Sequence, residues 1–360
     1  MSRSSLPPDL YGKYRAALLS YLRSTHDKLE SGATALDSVV HAVSLMEDDP
    51  LFNCGRGSVF TTVGTIEMEA SVMVTTLRDE SKQPGSIKRG AGVMGVKNVR
   101  HPIQLARECL MRCGYDELGN ANHDGGNMHS QLTGPFVEGL ARDWDLEFKP
   151  DEWFFTTARW EEHLRGLREE EENITMSQGT VGCVCLDQWG NLAVATSTGG
   201  MTNKTPGRIG DTPTLGAGFF AETWEEVAED NSQKKKRGIA VSGTGNGDSV
   251  IRTAAARTAC AVLRFSSTST LAEAVTAVAG PQGELQRSAG KRWEKTGEGE
   301  CGIIGVEAEM DVDKWESPIV SAAGQKLLRG RVVFDFNCGG MFRAWIDEQD
   351  VERFMVFRDE

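Results

Sequence analysis

Apolar positions recur on a helical period twice near the start of the chain. Leu10, Tyr14, Ala17, Leu18, Tyr21 and Leu22 do so within 9–31, with Lys13, Arg15 and Arg23 between them. Gly32 supplies the stop. The period returns over 34–47 through Leu36, Val39, Val40, Val43 and Met46, and Pro50 closes it. It then changes to two. Segments 58–62 and 65–74 flank Val63-Gly64 and predict a β-hairpin. Residues 91–96 predict a further strand, and 101–113 an amphipathic helix.

Residues 150–178 break the pattern. Trp153 and Trp160 precede Glu169-Glu170-Glu171-Glu172 and a polar string, which predicts a helix passing into an exposed, mobile segment. At Thr180 the chain turns β-rich. Strands are predicted at 180–186 and 192–198 around a turn at 187–191, and again at 214–220, 239–242, 302–306, 317–322, 331–336 and 340–345. Helices are predicted at 248–263 and 271–279, while the polar pieces 222–238 and 281–300 read as surface loops inserted between elements. Blocks of strands and helices without an internal repeat predict a sheet-rich α/β protein with layers of both.

Composition narrows the function classes. Among 360 residues, 39 Lys and Arg stand against 52 Asp and Glu, a net charge of −13, which argues against a nucleic-acid surface. The one basic cluster, Lys234-Lys235-Lys236-Arg237, reads as a solvated loop. No run approaches the roughly 18 apolar residues of a membrane helix. The start, MSRSSLPPDLYGKYR, has no apolar core of a secretory signal. Eight scattered cysteines include no CxxC pair and no zinc spacing, so reduced thiols in the cytoplasm are expected.

Several chemistries fall away. All six histidines lie before residue 164, and there is no GxSxG elbow. The segment 199–205 lacks the second glycine of a phosphate loop, and Gly243-Thr-Gly-Asn-Gly247 lacks the dinucleotide spacing. What remains is a second half dense in glycines and hydroxyls: Gly179-Thr180-Val-Gly182, Thr196-Ser-Thr-Gly-Gly200, Gly207-Arg-Ile-Gly-Asp-Thr212 and Ser242-Gly-Thr-Gly245. Turns and β-branched strands account for part of this. Three features point to a site. Glycines let backbone approach a ligand, Arg208 and Asp211 offer opposite charges to a zwitterion, and Thr180 stands where a polar segment meets a strand. A threonine hydroxyl needs a base. Its own free α-amine, with a reference pKa of about 7.7–8.0, can serve once the threonine is N-terminal. Here that requires cleavage of Gly179–Thr180, and glycine tolerates a strained conformation before the broken bond.

At these residues the sequence resembles the plant-type L-asparaginase/isoaspartyl peptidase family of N-terminal-nucleophile hydrolases. The likeness runs through Gly179–Gly200, Asn203-Lys204, Gly207-Arg-Ile-Gly-Asp-Thr-Pro213, Gly216-Ala-Gly218, Ala240-Val-Ser-Gly-Thr-Gly-Asn-Gly-Asp248 and Ile251-Arg252. In the first half it includes Gly32-Ala-Thr-Ala-Leu-Asp37, Glu47-Asp-Asp-Pro-Leu-Phe-Asn-Cys-Gly-Arg-Gly-Ser58 and Glu67-Met-Glu-Ala70, with a weaker echo at Phe336-Asn-Cys-Gly-Gly-Met-Phe-Arg343.

The resemblance implies an α/β fold, a four-layer αββα sandwich of the N-terminal-nucleophile hydrolase type. Residues 1–179 would form its α-subunit part, with a mobile linker at about 150–178, and 180–360 its β-subunit part. Self-cleavage at Gly179–Thr180 would make Thr180 the nucleophile. Thr198 would hydrogen-bond its hydroxyl, and Thr244 and Gly245 would form the oxyanion hole. Arg208 would take the substrate carboxylate and Asp211 its ammonium. The reaction implied is hydrolysis of β-aspartyl amides, L-asparagine or isoaspartyl dipeptides, without a catalytic cofactor. Backbone carbonyls of Met46, Glu47, Asp49, Phe52, Cys54 and Arg56 would hold a structural sodium. The partners expected are a small or short-peptide substrate and a second αβ unit, with neither nucleic acid nor membrane.

The sequence also departs from the family. The family's opening strand, ending in His-Gly-Gly-Ala-Gly close to the nucleophile, has no counterpart here. Glu69 stands where the family has Asp, and Asp248 where it has Glu. An uncleaved, inactive binding or scaffold protein is the alternative reading. Threonine aspartase and glycosylasparaginase are alternatives within the class, and Gly179 in place of Asp disfavours both.

Overall fold

In this computed structural model the described residues are 6–76, 89–115, 120–121, 123–168, 179–227, 234–266, 269–311 and 330–358. The chain begins with α1 (Pro8–Glu30) and α2 (Ala35–Asp48), followed by β1 (Met68–Val74), β2 (Arg89–Val96), α3 (Pro102–Met111) and β3 (Gln131–Thr133). Next come α4 (Phe136–Asp143), α5 (Asp151–Phe154), α6 (Thr157–Leu167), β4 (Val181–Leu186), β5 (Leu192–Thr198), β6 (Phe219–Val227) and β7 (Lys234–Gly245). The last third holds α7 (Gly247–Thr253), α8 (Ala255–Phe265), α9 (Leu271–Ala279), α10 (Glu284–Ala289), β8 (Cys301–Asp311), β9 (Arg331–Phe336), β10 (Arg343–Ile346) and β11 (Glu352–Met355).

Local chemistry explains the helix starts. Thr34 caps α2, accepting the Asp37 N–H at 3.1 Å. The helix then buries Val39 and Val43 completely, each contributing about 1.5–3 kcal/mol. Thr270 and Glu273 form a capping box on α9.

The strands form a five-stranded sheet in the order β3-β2-β1-β5-β4, a four-stranded sheet in the order β6-β7-β8-β9, and the β10–β11 hairpin. Among the strand pairs of the described residues, only β2–β3 is parallel. The β1–β5 seam, Glu69↔Thr198 to Val74↔Ala193, joins chain from before Thr180 to chain from after it. Strand alternation sorts side chains between two cores. Ala70, Val72, Val74, Ala193 and Ala195 pack with α2 and α3, whereas Met73 and Val194 pack with β6, β7 and β8. Glu69, Ser71, Thr196 and Thr198 share the face of Met73 and Val194. The face turned to the second sheet is therefore apolar at one end and rich in hydroxyls and carboxylate at the other.

The structure corrects several expectations. The hairpin at 58–74 is reduced to one bridge, Phe60↔Ile66, because β1 spends its hydrogen bonds on β2 and β5. Most of 214–220 is turn, since Gly216 and Ala217 accept backbone bonds from Arg257 and Ala256. The helix at 248–263 is two helices, broken at Ala254 in the left-handed region (φ 45°). The piece 222–238 is not an inserted loop where it is described, for it extends β6 and β7. The basic run lies in β7, where Lys235 pairs with Glu309 at 2.6 Å and Arg237 with Glu226 and Glu307. The piece 281–300 contains α10. Short β3, α4 and β11 carried too little periodicity to be foreseen. The strand expected at 317–322 and the segment 169–178 lie outside the described residues.

β4 ends its sheet, and a cavity of about 910 Å³ runs beside it. Leu18, Tyr21, Cys183, Cys185, Val332 and Phe334 are among its lining residues. Among the described residues, no helix is long and apolar enough to cross a membrane.

Candidate active site

The polar end of the intersheet face converges on the Gly179–Thr180 peptide bond. Close approach of the two sheets makes this possible. A Cβ on Gly182 would lie 2.0 Å from Ser242 Oγ, so only glycine lets β4 come this near to β7. The end of β7 then reaches Thr180, whose N–H donates to Thr244 Oγ1 at 3.0 Å. Next to Thr244, Gly245 has φ +148°, and a Cβ there would sit 2.2 Å from the Glu300 carbonyl oxygen. No other residue fits that position.

Two side chains donate to the Gly179 carbonyl oxygen, Thr198 Oγ1 at 3.1 Å and Asn53 Nδ2 at 3.2 Å. Asn53 is locked by three further bonds. Its Nδ2 donates to Gly200 O at 2.8 Å, its Oδ1 accepts Val59 N–H at 3.0 Å, and its carbonyl accepts Gly199 N–H at 2.9 Å. Donors aimed at a carbonyl oxygen stabilise negative charge developing there. In the intact chain the Thr198 hydroxyl gives its proton to the Gly179 carbonyl, and a bond to the Thr180 hydroxyl is an expectation for the cleaved form. The residue beside Thr180 Oγ1 is Thr212, at 3.4 Å between hydroxyl oxygens.

Arg208 and Asp211 lie on the loop that follows. Arg208 donates to Asp248 at 3.3 Å. Asp211 is buried, and its Oδ2 has no partner. Burial pushes its carboxyl up to about 7, with the nearby Glu69 charge adding to the effect. Glu69 is itself raised by burial, accepts Gly210 N–H at 2.8 Å through Oε1, and leaves Oε2 unpartnered. Both side chains of the pair border Gly247, where an added Cβ would lie 2.6 Å from an Arg208 nitrogen and 2.8 Å from Asp211 Oδ1. Glycine there keeps open the space between cation and carboxylate.

The stretch 46–56 runs from the last turn of α2 into the loop behind it. Met46, Glu47 and Asp49 carbonyls accept N–H bonds from Asp49 (3.3 Å), Arg56 (2.7 Å) and Phe52 (3.2 Å), and each keeps a second lone pair. The buried Glu47 carboxyl, raised by desolvation, accepts Ser197 Oγ at 2.6 Å and Ile103 N–H at 3.1 Å. Among the described residues no three His, Cys, Asp or Glu side chains are grouped to hold a metal ion.

The structure thus brings together Gly179, Thr180, Thr198 and Thr244, and places Arg208 beside Asp211 across Gly247. Sequence reasoning gave no role to Asn53, Thr212 or Gly247. Each lies within a matched motif, but nothing in spacing alone says that an Asn amide 126 positions away reaches Gly179.

The asparaginase family model matches residues 2–303. The isoaspartyl peptidase of Salmonella typhimurium is 32% identical, with all of this chain and 96% of that protein covered. The isoaspartyl peptidase of Escherichia coli is 31% identical, covering 100% and 94%. The isoaspartyl peptidase/L-asparaginase of Rattus norvegicus is 36% identical over 64% of this chain and 59% of its own.

Proposed function

Since the chain belongs to the asparaginase family, we propose that it hydrolyses β-aspartyl amide bonds, in L-asparagine and in isoaspartyl dipeptides. We further infer that it first cleaves itself at Gly179–Thr180. The observation that carries this reading is the Gly179 carbonyl, held by Asn53 and Thr198 next to a threonine whose nitrogen is bound by Thr244.

In the mature enzyme the Thr180 amine takes the proton of its own hydroxyl. Oγ attacks the β-carbonyl carbon of the substrate. The Thr244 hydroxyl and Gly245 N–H hold the oxyanion, where one donor contributes about 3–4 kcal/mol. Ammonia or an amine leaves with the proton, and water hydrolyses the aspartyl ester. Arg208 orients the α-carboxylate through its planar fork, and Asp211 binds the α-ammonium.

The packing of α2 and α3 on one sheet, and of α8 and α9 on the other, supports reading the fold as an αββα sandwich. Residues 1–179 and 180–360 would be its two subunits. The six carbonyls of the stretch 46–56 are neutral, hard oxygen donors, so that stretch could hold a sodium ion as a structural brace. A cytoplasmic dimer of αβ units completes the proposal.

Intact-mass measurements over time, beside a Thr180→Ala control, test it. Fragments 1–179 and 180–360 should form in the wild type alone, followed by aspartate release from asparagine or an isoaspartyl dipeptide. A folded wild-type chain that stays whole would overturn the proposal.

A further inference from the structure

The hydroxyl of Thr212 has the nucleophile as its neighbour. The two oxygens are 3.4 Å apart, and Thr212 is wholly buried. Its place is not left to the loop that carries it. The Thr212 carbonyl accepts Ser71 Oγ at 2.6 Å and Thr196 Oγ1 at 3.5 Å, and those two hydroxyls are 2.5 Å apart. Ser71 and Thr196 are direct register partners in β1 and β5. The preceding residue is tied as well, since Asp211 O accepts the N–H groups of Thr214 (3.0 Å) and Gly218 (3.1 Å). The middle of the five-stranded sheet therefore sets where the Thr212 side chain stands. The other two hydroxyls near the bond are engaged elsewhere: Thr198 donates to Gly179 O, and Thr244 accepts Thr180 N–H.

We propose that Thr212 is a positioning residue for self-cleavage, its hydroxyl holding Thr180 Oγ in the rotamer that attacks the Gly179 carbonyl carbon. The inference rests on the self-cleavage reading above. In that step Thr180 Oγ bonds to the Gly179 carbon, and negative charge gathers on the carbonyl oxygen between Asn53 and Thr198. The C–N bond of Gly179–Thr180 then breaks. The proton lost by Oγ ends on the departing nitrogen, so the ester formed is an isomer of the starting amide. Water hydrolyses the ester to a Gly179 carboxylate and a free Thr180 amine. Thr212 gains and loses nothing. It selects one of three staggered χ1 wells for Thr180, and without it the attacking well is populated for only part of the time.

The test follows full-length wild type, Thr212→Val, Thr212→Ser and Thr180→Ala by intact mass over time and by thermal melting. Valine keeps the shape of threonine and removes the hydroxyl. Thr212→Val should form the two fragments about tenfold more slowly, the worth of one hydrogen bond. Thr212→Ser should stay close to the wild-type rate, and the melting temperatures should agree. Should Thr212→Val melt lower, Thr212→Ser is compared with Thr212→Ala, which differs from it by the hydroxyl alone, and equal rates there overturn the proposal. Wild-type speed in Thr212→Val overturns the role of Thr212 and leaves self-cleavage standing. A folded wild type that never cleaves overturns both.

Discussion

Asp211 is the residue at which the site's electrostatics become measurable. Its carboxyl is pushed up to about 7, first by burial and then by the charge of Glu69, while Arg208 works in the opposite direction and Asp248 adds to the rise. The folded chain thus holds a proton on Asp211 that the unfolded chain, at a reference value of about 3.9, has given up. Stability from this group is complete below about pH 4 and is lost as pH rises through about 7. Substrate binding runs the other way, because only ionised Asp211 attracts an α-ammonium. On the proposed function, kcat/KM should climb with pH in two steps, one near 7 as Asp211 ionises and one as the Thr180 amine, with a reference value of about 7.7–8.0, loses its proton. Glu69→Gln removes the neighbouring negative charge, so the lower, Asp211 inflection should move to lower pH while the upper one stays. A pH–rate profile of that variant checks this, and an unmoved lower inflection would refute the coupling of the two carboxylates.

The approach of β4 to β7 is the contact on which the candidate site depends. Gly182→Ala would place a Cβ 2.0 Å from Ser242 Oγ and 2.9 Å from Ser242 Cβ. The strands must part, which costs about 1–3 kcal/mol and draws Thr180 away from Thr244. The variant should melt lower and form fragments more slowly than wild type. Adding Ser242→Ala removes the nearer clash and should restore part of both losses, and a double-mutant cycle on melting and cleavage reads the coupling. This contact also marks where the sequence stopped being informative. The helical period gave α1, α2 and α3, and β-rich runs gave β2, β4 and β5, because each pattern is local. The register that sets Gly182 opposite Thr196, and the intersheet contact that sets it on Ser242, are long-range packing results with no local signature. The same holds for β6 and β7. Their charges read as a solvated loop until Lys235 and Arg237 met Glu309, Glu226 and Glu307 on neighbouring strands. Around Thr180 the motifs identified the chemistry, but Asn53 and Thr212 gained their roles only once the chain had folded them against Gly179 and Thr180.

At the scale of the molecule, the bond proposed to break lies between two halves that share one sheet. β1, β2 and β3 come from before it and β4 and β5 from after it, and β1 pairs with β5 over six residues from Glu69↔Thr198 to Val74↔Ala193. The core on the helix side mixes Val39, Val43, Val72 and Ile103 with Val181, Cys185 and Ala195. Neither half can keep its apolar surface from water without the other, at about 25 cal/mol per Å² of exposed apolar area. Scission of one peptide bond removes no hydrogen bond from the β1–β5 seam and no member of that core. The cleaved protein should therefore elute from a native sizing column where the uncleaved Thr180→Ala chain elutes, and part into two species only in denaturant. Refolding from denaturant should be slower for the cleaved form, since the β1–β5 pairing becomes a bimolecular encounter whose rate depends on protein concentration. Fragments that separate on the native column would show that the seam does not hold the halves together.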